Sequence, residues 1–158
     1  MILKIDGLVA QPLELQWDAL ASLENAAQVP DVSRIDPQRK GDAVRLAAVM
    51  ALAGVRPGAQ YLTLHSSTDD FHASIPLAHI RDTALLIYRL EGKPLPTSAG
   101  GPIRFYIPHH AACHTAEIDE CANVKFVDRL EFSAGKGFDN RPAEERAHAA
   151  LHAKDVKG

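Results

Sequence analysis

Cysteine is scarce in this chain. Only two occur in 158 residues, Cys113 and Cys121, which argues against a small scaffold framed by disulfides. Charge of one sign is not in excess either: 17 basic residues face 20 acidic ones, for a net charge of −3. That balance gives no basic footprint for nucleic acid or for an anionic membrane surface. No apolar run approaches the roughly 20 residues that cross a bilayer as a helix. Met1 to Asp6 reads as a strand, not as the basic and apolar start of an export signal, so the expectation is a cytoplasmic protein. Internal repeats, low-complexity tracts and long linkers are missing. So are a Walker loop and a Gly-x-Gly-x-x-Gly turn. What is present is 46% hydrophobic and 23% charged residues, the balance of a soluble globular protein. The expectation is one domain over 1–158, long enough to bury a core.

Short alternating segments dominate the chain. Ile2 to Ile5 alternates and turns at Asp6-Gly7, Leu13 to Leu15 is a second strand, and Asp18 can cap a short helix through Leu23. Val29 to Arg39, with two prolines and no period, reads as a surface loop. The clearest helix opens at Gly41-Asp42, with Asp42 as its N-cap. Val44, Ala47, Ala48, Ala51 and Leu52 supply the helical spacing, and Gly54 ends it. Strands follow at Gln60 to His65 and Phe71 to Ile75 around the polar turn Ser66 to Asp70, then a helical turn after Pro76. Further strands are Ala84 to Leu90, Ile103 to Ile107 and Val124 to Phe132. Asp139-Asn140 can cap a C-terminal helical tail within 140–154. Strands with a few interspersed helices, in no regular βαβ order, give the α+β class with mixed sheets.

The richest stretch for function is Gly100-Gly101-Pro102-Ile103-Arg104, with Val124-Lys125-Phe126-Val127 downstream. Two cations beside a glycine-proline turn suit an anionic, phosphate-bearing ligand, because arginine presents a planar fork and lysine a point charge. A salt bridge from Arg104 to a carboxylate such as Glu131 is the plainer alternative. Other segments line up in order: Gly41-Asp42-Ala43-Val44-Arg45-Leu46, Ala59-Gln60-Tyr61-Leu62, Ser67-Thr68-Asp69-Asp70-Phe71, Ser74-Ile75-Pro76-Leu77 and Leu90-Glu91-Gly92-Lys93-Pro94-Leu95. Over about residues 2–132 the chain resembles the molybdopterin-binding domain of the sulfite oxidase family of oxidoreductases. The resemblance implies a compact mixed α+β domain whose cleft takes molybdopterin, with Arg104 and Lys125 at cleft positions meeting the phosphate or pterin oxygens. It also implies that His65 and the Asp69-Asp70 turn end near the same cleft, making His65 and Asp70 further cofactor candidates. The family's enzymes hold molybdenum through a cysteine ahead of the first long helix. The corresponding stretch here, about Val29 to Asp36, has none, and Cys113 and Cys121 come too late in the chain to replace it.

Both cysteines lie with three histidines between His109 and Cys121. Thiolate and imidazole are ligands of zinc and of other transition metals, so Cys113, Cys121, His109 and His114 are candidate metal ligands. His148 and His152, four apart on the expected last helix, could join them. Inert thiols or a local disulfide at the cysteines, and a solvated helix face at His148 and His152, are the alternatives. The functional expectation is a molybdopterin-dependent oxidoreductase-like domain that binds a small-molecule cofactor or anionic ligand, with no nucleic acid and no membrane span. The rivals are a family relic using the histidine-cysteine segment for a structural metal or protein partner, and a histidine-ligated metal centre.

Overall fold

Period-two patterning builds the first of two sheets in the computed structural model, which describes residues 1–109, 117–119 and 122–141. The sheet runs β2 (Leu13–Leu15), β1 (Leu3–Gly7), β10 (Arg129–Ser133), β5 (Tyr61–Ser66) and β6 (Phe71–Pro76). Its pairings are antiparallel except β1 with β10, which run parallel with Lys4 opposite Arg129 and Gly7 opposite Phe132. Leu3, Ile5, Leu62, Leu64, Ile75, Leu130 and Phe132 point from alternate positions into the main core and are fully buried. A one-residue slip would turn that whole set outward, so burial sets the register.

The second sheet runs β3 (Gln28–Val29), β4 (Asp42–Arg45) and β7 (Leu85–Leu90). Along its far edge, β7 pairs with both β8 (Lys93–Pro94) and β9 (Arg104–Tyr106). This sheet is buried on both faces. Val44, Leu86 and Tyr88 face the main core, whereas Ala43, Leu85 and Ile87 join Val32, Leu95 and Tyr106 in a second apolar cluster. Two covered faces explain why 84–88 reads as an unbroken apolar run rather than an alternating one. The mixed-sheet α+β expectation is met: the described helices are α1 (Trp17–Ala21), α2 (Leu46–Ala53) and a few single 3-10 turns.

Several local expectations are corrected. The helix expected from Asp42 begins at Leu46, because Asp42–Arg45 is a strand clamped between β3 and β7. Its buried face is Leu46, Val49, Met50 and Ala53, while Leu52 stays 47% exposed. Burial of Ala43 and Val44 on opposite faces enforces period two there, overriding helix propensity. Gly54, at φ 66, does end the helix. Residues 124–128 are not strand: Phe126 takes φ 56, and only Arg129–Ser133 enters a ladder. Within the expected surface loop, Val29 pairs in β3 and Val32 is fully buried. Gln16, not Asp18, stands at the N-cap of α1.

The outer face of β5 and β6 is polar and is closed by the chain after β10. Thr63 Oγ1 donates to Ser74 Oγ (3.0 Å), which accepts the Gly137 amide (2.8 Å), and the Ser74 amide donates to Asp139 Oδ2 (2.9 Å). Asp139 and Arg141 form a buried pair at 2.7 Å, their side chains only 10% and 5% exposed. Arg141 also bonds Asp119 (3.1 Å), the Glu117 carbonyl (2.9 Å) and the Ser74 carbonyl (3.3 Å). The expected helical tail lies outside the described residues beyond Arg141.

Burial works to raise the Asp139 carboxyl. The Arg141 side chain, the amides of Ser74 and Arg141, and the Arg141 charge outweigh it and hold the group below its ordinary 3.8. A carboxyl depressed on folding stabilises the fold fully above its unfolded value and loses that contribution as pH falls through its folded one. The urea midpoint is therefore predicted to drop on acidification below pH 3.8, and Asp139→Asn to lose part of that slope. Arg141→Met, which strands the buried carboxylate, is predicted to cost about 3–5 kcal/mol in the same unfolding measurement.

Candidate functional site

The site is built on the turn between β8 and β9. Gly100 (φ 96) and Gly101 pack so closely that a Cβ on Gly101 would collide with the Leu95 carbonyl. Gly100 has an equally specific role. A Cβ there would lie 3.0 Å from Arg104 Cδ and 3.3 Å from Lys125 Cγ, so both cationic side chains pass over one bare glycine. The left-handed backbone at Phe126 and the bond from its amide to the Gly100 carbonyl (2.9 Å) bring Lys125 there. Val127 follows by donating to the Ile103 carbonyl (2.8 Å). Arg104 and Lys125 are thus brought together, by a turn at 124–127 rather than by the strand expected for it.

A cleft of about 380 Å³ opens beside this turn. Ile87, Leu90 and Ala99, part of the second apolar cluster, floor it, and Arg39, Lys40, Arg104, Gln38 and Ser98 supply its polar lining. Arg104 is half-buried, and its Nε is buried with no hydrogen-bond partner among the described residues. Its Nη1 reaches the Ala99 carbonyl only at 3.5 Å. Burial, then the nearby Arg39 charge, pushes the guanidinium below its ordinary value. Lys40, Arg104 and Lys125 have no carboxylate partner among the described residues, and Arg39 meets Asp36 only at 3.9 Å. The plainer alternative of an Arg104–Glu131 salt bridge is not realised, since Glu131 meets His65 and Arg129 in the other sheet. A buried N–H without an acceptor is costly, and gathered like charges raise that cost. An oxyanion would relieve both.

A neighbouring cleft of about 340 Å³ shares Gln38 and Arg39 and is lined by Asp36, Tyr106, His109 and Asn123. Arg39 stands between the two, its guanidinium 5.6 Å from the centre of the Tyr106 ring. The Tyr106 hydroxyl donates to Asp36 Oδ2 at 3.4 Å. Burial, then the Asp36 charge and hydrogen bond, push that phenol up. Asn123 accepts the Ile107 amide (2.7 Å) and ties down the end of β9.

The remaining expected residues divide. His65 and Asp70 do not line the Arg104 cleft. His65 opens on a separate cavity of about 320 Å³ with Lys4, Ser67, His72, Asp128 and Arg129, and Asp70 is 92% exposed and bonded to His72. His109 lines the cleft shared through Arg39. Cys113, His114, Cys121, His148 and His152 lie outside the described residues. Among the described residues no group of three or more histidine, cysteine, aspartate or glutamate side chains is placed to hold a metal ion. Sequence reading missed Arg39 and Lys40, whose signal was an adjacent basic pair immediately before Gly41.

The profile described as "Oxidoreductase molybdopterin binding domain" matches residues 41–139. The "Uncharacterized oxidoreductase YuiH" of Bacillus subtilis (strain 168) is 30% identical over 114 residues, covering 68% of this chain and 56% of that protein. The crystal structure of the sulfane dehydrogenase SoxCD from Paracoccus pantotrophus superposes with a TM-score of 0.61 at 22% identity. That match covers 85% of this chain and 38% of the SoxCD chain, and shows the shared fold. The chain thus spans about half the length of the curated relative it matches.

Gly100→Ala tests the turn, because φ 96 strains any side chain there and a Cβ would meet both Arg104 and Lys125. It is predicted to weaken binding of inorganic pyrophosphate by at least about tenfold, the equivalent of one charge-assisted hydrogen bond. Calorimetric titration reads this. Arg104→Met, which removes an uncompensated charge, is predicted to leave the ligand-free melting temperature unchanged or higher while binding falls.

Proposed function

The chain belongs to the family of oxidoreductase molybdopterin-binding domains, and on that premise we propose that the Arg104 cleft binds molybdopterin or a closely related phosphate-bearing ligand. The observation that carries the reading is Arg104 itself, a half-buried cation with an unpartnered Nε beside Arg39, Lys40 and Lys125. Such an arrangement is unfavourable when empty and favourable around an oxyanion. Arg104 would make the directional bonds, because a guanidinium presents two parallel N–H groups to phosphate oxygens. Lys125 and Lys40 would add charge without fixing direction. Ser98 and Gln38 offer neutral hydrogen bonds at the same wall.

The donor set fits the anionic end of the cofactor. Molybdopterin carrying molybdenum would supply a redox-active metal centre, and the domain would then serve an oxidoreductase. The metal-bearing end has no thiolate among the described residues, and Val29 to Asp36 contains no cysteine. That departure favours a second reading, in which ligand binding persists without the family's redox chemistry. His109, Tyr106 and Asp36 line the adjoining cleft and would face a substrate held there. Zinc or another metal at the histidine-cysteine segment draws no support from the described residues.

The test is expression in a host that makes molybdenum cofactor, followed by metal analysis and fluorescence of extracted pterin. Pterin is expected to copurify, and occupancy is expected to fall at least about tenfold in Arg104→Gln/Lys125→Gln, as for loss of charged hydrogen bonds. Pterin with molybdenum supports the oxidoreductase, and pterin without it the second reading. A protein with no pterin and no measurable affinity for a phosphate-bearing pterin overturns both.

A further inference from the structure

Away from the Arg104 cleft, two histidines face each other across a hairpin. His65 of β5 lies directly opposite His72 of β6, so their side chains share a face and meet closely. The Nδ1 atoms are 2.7 Å apart and the rings meet edge to face. Each outer nitrogen is held by a carboxylate: His65 Nε2 by Glu131 Oε1 at 2.9 Å, and His72 Nε2 by Asp70 Oδ1 at 2.9 Å. His65 is only 8% exposed.

We infer that this pair is a proton-binding site, in which one proton held between the two Nδ1 atoms clamps residues 137–141 onto β6. The count follows from the partners. A carboxylate only accepts, so each Nε2 carries hydrogen. The inner contact at 2.7 Å needs one hydrogen as well: two bare lone pairs repel there, and so do two N–H groups. Three hydrogens on four ring nitrogens make one neutral imidazole and one imidazolium, with a net charge of +1 for the pair. A metal ion does not fit this gap. Two bonds of about 2.0–2.1 Å at a tetrahedral angle hold nitrogens roughly 3.3 Å apart.

The surroundings suit a single positive charge. From β10, Glu131 is shared between His65 and Arg129, and Arg129 is also engaged at 3.0 Å by Asp6 of β1. Lys4 of β1 and Asp128 line the cavity beside the rings, and the Asp128 side chain accepts the Ser67 amide. Asp139 and Arg141 of the closing segment are satisfied by each other. Among the described residues, Asp70 is the one carboxylate committed to the His72 end.

His72 passes the proton's effect to the closing segment. The Phe138 ring packs edge to face on the His72 ring at 4.9 Å. The His72 amide donates to Asn140 Oδ1 (2.9 Å), the Asn140 amide donates to the His72 carbonyl (3.0 Å), and Asn140 Nδ2 donates to the Asp70 carbonyl (2.6 Å). A second proton would set N–H against N–H and drive the rings apart. His72 would then withdraw the seat of Phe138 and disturb the Asp70–Asn140 contact. Acidification should therefore loosen 137–141 before it unfolds the sheet.

Long-range proton–nitrogen NMR of the histidine-labelled full chain at neutral pH tests the count. Three protonated ring nitrogens across His65 and His72 are expected; two neutral rings, two imidazoliums or a bound metal overturn the inference. Amide exchange then tests the consequence. Protection factors at Gly137 and Asn140 are expected to fall at least about tenfold on mild acidification, as for one bond to a charged group. The fall should vanish in His65→Gln, and its persistence there overturns the clamp. If that variant does not fold, Asp70→Ala, which frees His72 Nε2 of its carboxylate, must still shift the ring-nitrogen pattern toward two protons.

Discussion

Backbone against backbone at Gly101 is the contact on which the site's geometry depends. No side chain fits between that residue and the Leu95 carbonyl, so the chain leaving β8 is pressed onto the chain entering β9. Gly100 then presents a bare surface over which Arg104 and Lys125 both run. The Phe126 amide closes the arrangement on the Gly100 carbonyl, at the expense of a left-handed phenylalanine. Strained backbone persists where the surroundings over-determine it, and here bonds from Phe105, Phe126 and Val127 do so.

This turn places charge where the fold alone would not. The second sheet is apolar on both faces, and Ile87, Leu90 and Ala99 of its outer cluster form the floor on which the cations stand. Low polarity beneath and like charge beside push the Arg104 guanidinium below its ordinary value. Elsewhere the described part of the chain matches its partly buried cations with carboxylates: Arg89 with Asp42, Arg129 with Asp6 and Arg141 with Asp139. The contrast with Arg104 is the electrostatic argument for an anionic ligand, and it stands independently of the family's outline.

Much of this was legible in the sequence, and the failures share a cause. Leu62, Leu64, Ala73 and Ile75 announced a hairpin by strict alternation, and the structure has it. The apolar run at 84–88 was legible as a strand, although not that both its faces would be covered. Asp42 to Arg45 misread as helix because Val44 falls on a helical spacing as readily as on a strand's, and only β3 and β7 decide between them. Residues 124–132 misread as one strand because alternation carries no warning of Phe126 turning left-handed. The cationic cleft was half legible: the glycine turn marked Arg104 and Lys125, whereas Arg39 and Lys40 arrive from a loop without period. His65 and Asp70, expected beside Arg104, meet His72 instead, since hairpin register places them on the other sheet.

Nitrogen-15 NMR of the Arg104 Nε–H group during titration with inorganic pyrophosphate tests the central claim most directly. The account predicts a saturable shift of that resonance together with the Gly100 amide, weakening as salt screens the cluster. No response at Arg104, or a response confined to residues around Lys4 and Arg129, would contradict it.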